Sequence, residues 1–177
     1  MTRPRSQPYN VLFIDAANAA CGIMAEALLD HWGRGRFKGF SAGSHPAGQL
    51  NPVYVSLLQQ IGLSAAGLRS KSWTEFHQPD APVMDFVFVL EEEAVREAWP
   101  LWPGNPIMAH WSLPDPQAAT GSAAERMLTH RQVFSMIERR VRILASLRLE
   151  SQGRREAQVS VWEIERAEPA FGDAAAA

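Results

Sequence analysis

The sequence predicts a small three-layer α/β domain of the flavodoxin-like class, a four-stranded parallel sheet with helices on both faces. Two short runs, Val11-Leu12-Phe13-Ile14 and Asp85-Phe86-Val87-Phe88-Val89-Leu90, are almost wholly apolar, as strands buried on both faces of a parallel sheet are. Around them, apolar residues recur at helical spacing. Strands alternating with helices, joined by right-handed crossovers, leave few topologies. A length of 177 residues suits one such domain.

Val11 to Ile14 is too short for a helix and rich in strand formers, so it is the first strand. The segment Asp15 to Gly22 follows as a loop, and Ala25, Leu28, Leu29 and Trp32 mark a helix ended by Gly33 and Gly35. Phe37 to Ala42, closed by Gly43, makes a second strand. Val53, Leu57, Leu58 and Ile61 line one face of a second helix, with Pro52 in its first turn and Gly62 at its end. Gly67 to Pro82 is polar and broken by prolines, and Asp85 to Leu90 is the third strand. Glu91, Glu92 and Glu93 sit in the first turn of a following helix, where carboxylates match the positive end of the dipole. Ile107 to Trp111 offers a fourth strand, and Leu113-Pro114-Asp115-Pro116 a turn. Met127, Phe134, Ile137, Val141 and Leu144 then repeat at three, four and seven, as in a long helix laid on a sheet. Residues 1–149 are read as the domain. Residues 150–177 are read as a charged C-terminal appendix, partly ordered at most, with Val159, Val161 and Ile164 offering a short strand or helical turn. There is no internal repeat.

Composition narrows the function. Seventeen Lys and Arg against nineteen Asp and Glu leave a formal charge of −2, without the basic excess that nucleic-acid binding draws on. The single cysteine, Cys21, excludes a disulfide framework and a Cys-rich zinc site and fits a reducing compartment. His31, His45, His77, His110 and His130 show no paired metal spacing, so neither metal nor cofactor is expected. Met1 to Asn10 lacks the apolar core of a signal peptide, and no apolar run approaches a membrane span. A cytoplasmic protein with no membrane partner is expected, its oligomeric state left open.

Ligands of doubly wound sheets bind beyond the carboxyl ends of the strands. The loop Asp15 to Gly22 lies there, between a buried strand and a helix N-terminus, where free backbone N–H groups and the helix dipole favour an anion.

The run Val11-Leu12-Phe13-Ile14, the loop, and Ile23-Met24-Ala25-Glu26 resemble the opening of the low-molecular-weight protein tyrosine phosphatases and the related thioredoxin-coupled arsenate reductases. Phe40-Ser41-Ala42-Gly43-Ser44, Asn51-Pro52, Ile61-Gly62-Leu63, Leu68-Arg69-Ser70-Lys71-Ser72, Phe76 and His110-Trp111-Ser112-Leu113-Pro114-Asp115-Pro116 match in order, so the resemblance covers about Asn10 to Leu149. It implies the phosphotyrosine protein phosphatase I-like version of the fold. In that family the loop reads Cys, five residues, Arg, then usually Ser. The resemblance places Asp15 at the nucleophilic cysteine, Cys21 at the arginine and Asp115 at the general acid. The anion loop then comprises Ala16, Ala17, Asn18, Ala19, Ala20, Cys21 and Gly22, of which only Asn18 keeps a family residue. Ala17 stands for a glycine, which disfavours a left-handed backbone there.

These substitutions oppose the family reaction. A thiolate attacks because it is polarisable and ionised near a helix N-terminus; a carboxylate there is a far weaker nucleophile. A thiol cannot supply the planar fork that clamps oxyanion oxygens. A dianion about 4 Å from Asp15 meets roughly 4 kcal/mol of repulsion per charge pair at an effective dielectric near 20. Instead, the Asp15 carboxylate is expected to accept the loop N–H groups itself and plug the site. The expectation is a catalytically degenerate pseudophosphatase with a binding or regulatory role. The alternative is an active phosphate-ester hydrolase or arsenate reductase-like enzyme using Asp115 as general acid, although the arsenate relay needs further thiols. Trp99, Trp102 and Trp111, with Pro100 and Pro103, read either as a satellite hydrophobic cluster or as an exposed aromatic surface for a protein partner.

Overall fold

The computed structural model describes residues 7–91, 102–116 and 119–166. Strand β1 (Tyr9–Asp15) leads into α1 (Cys21–Trp32), β2 (Phe37–Gly43) and α2 (Pro52–Gln60). A 3-10 turn (Trp73–His77), β3 (Phe86–Val89) and β4 (Ile107–His110) follow, then α3 (Ala123–Ser146), a short turn (Leu149–Ser151) and α4 (Arg154–Arg166). The strands lie in the order β2-β1-β3-β4, all parallel. From β1 the chain goes first to β2 on one side and later to β3 on the other, so the loop after β1 occupies the switch point where such sheets bind ligands. Asp15 pairs with Gly43, Ile14 with Val89, and Val89 with His110, which brings the strand ends together around that loop.

Side-chain alternation divides the sheet between two cores. Val11, Phe13, Phe86 and Phe88 pack with α1, α2, α3 and α4 on one face, while Leu12, Ile14, Val87 and Val89 pack with Phe76, Met84 and Trp102 on the other. Val11 through Ile14 are each 0% exposed, so the four-residue apolar run is a central strand buried on both sides. Asn51 accepts Val53 N–H at the start of α2, with Pro52 at the first position. Ser122 and Glu125 close a reciprocal capping box on α3.

Three expectations need correction. Residues 150–177 were set apart from the domain, yet α4 buries Ala157, Val161 and Ile164 in the same core as α1 and α3. Trp162 and Gln158 donate to the Met108 carbonyl of edge strand β4, at 3.2 and 3.0 Å. The charged look of this helix comes from its outer face. Met127 does not share the core face of α3, because the buried face begins at Val133 and the first two turns are exposed. The aromatic surface dissolves: Trp111 is fully buried, 4.1 Å from the Phe88 ring and 5.8 Å from Phe13. Trp102 is buried against His77, which is the satellite-cluster arrangement. Trp99, Glu92 and Glu93 lie outside the described residues. Among the described residues, no helix is long and apolar enough to cross a membrane.

Candidate functional site

The loop after β1 is built mainly from backbone contacts. His45, Ala47 and Asn51 donate backbone N–H groups to the carbonyls of Ala16, Ala17 and Ala19, at 2.9, 2.8 and 2.8 Å. Ser70 Oγ also donates to Ala17 O, at 3.1 Å. Gly43 permits this closeness, since a Cβ there would fall 2.5 Å from Ala16 O. The left-handed position is not Ala17 but Asn18, with φ of 45°, a residue type that tolerates that region. Asn18 is fully buried, and its Oδ1 accepts Lys71 N–H at 2.9 Å.

Asp15 turns its carboxylate back over this loop. One oxygen accepts Asn18 N–H and the other accepts Gly22 N–H at 2.7 Å. Ala20, the residue before α1, offers no side-chain cap, so Asp15 supplies from seven residues away what a Ser or Asp usually supplies at that position. The side chain is 2% exposed. Burial pushes its carboxyl up to about 7; the Gly22 N–H pulls down and Glu91 pushes further up. Gly22, at the position where the family usually has Ser, makes room: a Cβ there would lie 3.1 Å from Asp15 Oδ2 and 3.3 Å from Asn18 Nδ2.

Around the mouth the charges are negative. Glu91 Oε2 accepts Ala16 N–H at 2.9 Å. Cys21 is buried as the first residue of α1, and burial raises its thiol well above the ordinary value, with Asp15, Glu91 and Asp115 adding to the rise. A neutral thiol is neither nucleophile nor clamp. Asp115 is exposed and within electrostatic reach of Cys21 and Tyr54. Tyr54 is buried, its hydroxyl 2.9 Å from His130 Nδ1. Burial raises its pKa, with Cys21 and Asp115 contributing.

The Lys71 side chain, whose backbone N–H meets Asn18, is engaged away from the loop. Lys71 Nζ lies 3.1 Å from Glu26 Oε2, 3.3 Å from Ser41 Oγ and 3.2 Å from Arg69 O. Ser41 Oγ also donates to Glu26. The pair is 8% and 13% exposed, so it forms a compensated buried network.

The structure thus gathers Asp15, Cys21, Asp115 and the loop Ala16 to Gly22, all read from the sequence. Glu91, Tyr54, His130 and Lys71 were not assigned to the site. Glu91 carried a signal, one of three successive acids just after a buried strand, and it meets the first loop N–H. Nothing in the local sequence pairs Lys71 with Glu26 or Tyr54 with His130, because those contacts join distant elements.

The sequence pattern of the family described as low molecular weight phosphotyrosine protein phosphatase matches residues 10–156. Among curated proteins no relative matches. Solved structures do. An arsenate reductase from Archaeoglobus fulgidus is 27% identical with a TM-score of 0.60, over 77% of this chain and 99% of its own. Wzb of Vibrio vulnificus, in complex with benzylphosphonate, is 13% identical with a TM-score of 0.61, over 77% and 97%. The tyrosine phosphatase Wzb of Escherichia coli K30, in complex with sulphate, is 17% identical with a TM-score of 0.60, over 77% and 95%. At such identities the latter two speak to the fold alone.

Proposed function

The chain belongs to the low molecular weight phosphotyrosine protein phosphatase family, and we propose that this member is a pseudophosphatase, a binding or regulatory module whose anion loop is filled by its own carboxylate. One observation carries the reading: Asp15 accepts N–H groups from within the loop, at Asn18, and from its end, at Gly22. Those donors face an internal anion instead of a substrate oxyanion. The family position of the attacking thiolate holds a carboxyl, and that of the arginine fork holds a buried thiol.

Protonation refines the picture. With its pKa near 7, Asp15 is divided at neutral pH between ionised and neutral forms. A phosphate dianion entering the loop would have to drive a proton onto Asp15 or displace the carboxylate from its two donors. Either route costs binding energy that an active member does not spend. The likeness to an arsenate reductase does not extend to a thiol relay, since the sequence holds one cysteine. A single cysteine that is free and buried also fits the reducing interior of the cytoplasm, where we place the protein.

One observation favours the second reading, a surviving phosphate-ester hydrolase. Asp115 is exposed and close enough to influence Cys21 and Tyr54, which supports a role as general acid toward a substrate bound beside them. Hydrolysis of an aryl phosphate by the purified protein, beside Asp115→Asn and an active family member, separates the two. No turnover above buffer is expected. Turnover lost in Asp115→Asn would replace the pseudophosphatase by an enzyme with a different nucleophile.

A further inference from the structure

A second concavity, with a volume of about 410 Å³, runs along the outer face of α3 and is lined by Ser135, Glu138, Arg139, Arg142, Ile143 and Ser146. Of the five arginines of α3, Arg139 and Arg142 line this concavity beside Glu138, while Arg140 is buried and donates to the Ser112 carbonyl. Neither Arg139 nor Arg142 has a salt-bridge partner among the described residues. The Arg142 guanidinium instead lies over the Trp32 ring, 4.0 Å from its centroid. The opposite relation of that ring is with His31, edge-on at 4.8 Å. Stacking holds Arg142 in one orientation with its N–H fork uncommitted, which reduces the entropy lost when it meets a carboxylate.

From this geometry we propose that the α3 groove is a docking surface for an extended acidic segment of a partner protein. From Ser135 to Ser146 the helix rises about 16 Å at 1.5 Å per residue, the reach of about five extended residues at 3.3 Å each. Arg139 and Arg142 sit one turn apart, near the spacing of alternate side chains on a strand, and each faces a carboxylate of the segment. Ile143, one turn on from Arg139 and next to Arg142, gives an apolar contact. Glu138 lies one turn before Arg142 on the same face and repels an acid there, so the segment's charge must lie toward Arg139 and not be spread uniformly, which a phosphodiester backbone cannot avoid. Trp32 ends α1, whose twelve residues set it about 17 Å along the helix axis from the anion loop. The proposal therefore stands apart from the plugged-site reading.

The test is fluorescence anisotropy at low salt with a labelled decapeptide of Ser, Thr and Gly that carries two Glu at alternate positions beside one Leu. Binding is expected, weakened about tenfold in Arg139→Glu/Arg142→Glu, weakened further by salt, and unchanged in Asp15→Asn. Arg139→Glu alone, at an exposed position that leaves the Trp32 stack in place, is expected to weaken it several-fold and guards against misfolding of the double variant. Equal binding of a neutral peptide, an undiminished affinity in both variants, or tighter binding of a single-stranded oligonucleotide would overturn the proposal. So would an equal loss in Asp15→Asn, which would move the peptide to the loop.

Discussion

The loop and its flanks are neighbours in sequence and opposites in behaviour. Val11 to Ile14 before it and Ile23, Met24 and Ala25 after it are 0–1% exposed. They are selected by the volume and shape of a packed interior, where each apolar side chain contributes on the order of 1.5–3 kcal/mol by burial. Between them, Asp15 to Gly22 holds its course largely through its carbonyls, which accept the backbone N–H groups of residues 45–51 and the Ser70 hydroxyl, and through the Asn18 side chain, which accepts Lys71 N–H. Backbone contacts make few demands on side-chain identity. On the proposed reading, a carboxyl stands where the family has its thiol, and a thiol where it has an arginine, on a sheet of the family's fold. Membership of the family is carried by the flanks, and activity by the loop.

Substitutions can pull the two regions apart, and the largest effect belongs to the scaffold. Trp111→Ala opens a cavity against Phe13 and Phe88 and is expected to cost about 3–5 kcal/mol in urea unfolding; a cost near 1 would mean the ring is not a core residue. Asp15 gives the next effect, in the pH dependence of stability. Its carboxyl titrates near 3.8 unfolded and near 7 folded, so the protonated form suits the fold. Stability from this group is complete below about pH 4, falls by up to about 1.4 kcal/mol per pH unit as the pH rises toward 7, and is level above. Asp15→Asn should remove that slope, and an unaltered slope would assign the titration to another group.

Lys71→Met leaves the Glu26 carboxylate buried without its cation and should cost about 3 kcal/mol. Pairing it with Glu26→Gln should recover most of the loss, which thermal melts can follow. Gly22→Ala presses a methyl against Asp15 Oδ2 and should cost about 1–3 kcal/mol. In an Asp15→Ala background that cost should shrink, and a cost that persists there would show that the plug does not need the glycine. Ser122→Ala, far from the loop, removes a cap worth about 1 kcal/mol and should leave the pH profile untouched.

The contrast also explains what could be read in advance. Strands and helices announce themselves through apolar periodicity, so Val11–Ile14, Phe86–Val89 and the helix through Ala25, Leu28 and Leu29 were legible as elements. Misreadings arose where burial depends on a distant partner. Trp111 looked like a rim residue until Phe88 and Phe13 closed on it, and α4 looked like a tail because only Ala157, Val161 and Ile164 of its charged sequence face the sheet. In the loop, the identities and positions of Asp15 and Cys21 were legible. The closure of Glu91 onto Ala16 and the placing of the left-handed turn at Asn18 were not, because both follow from three-dimensional fit.

The most direct measurement is a crystal structure of the protein soaked in phosphate or sulfate at about pH 8, with Asp15→Ala treated alongside. The wild-type loop is expected to hold no anion, with the Asp15 carboxylate still accepting from Asn18 and Gly22. An anion seated in the wild-type loop, with those N–H groups turned toward it and Asp15 swung aside, would contradict the self-filled site.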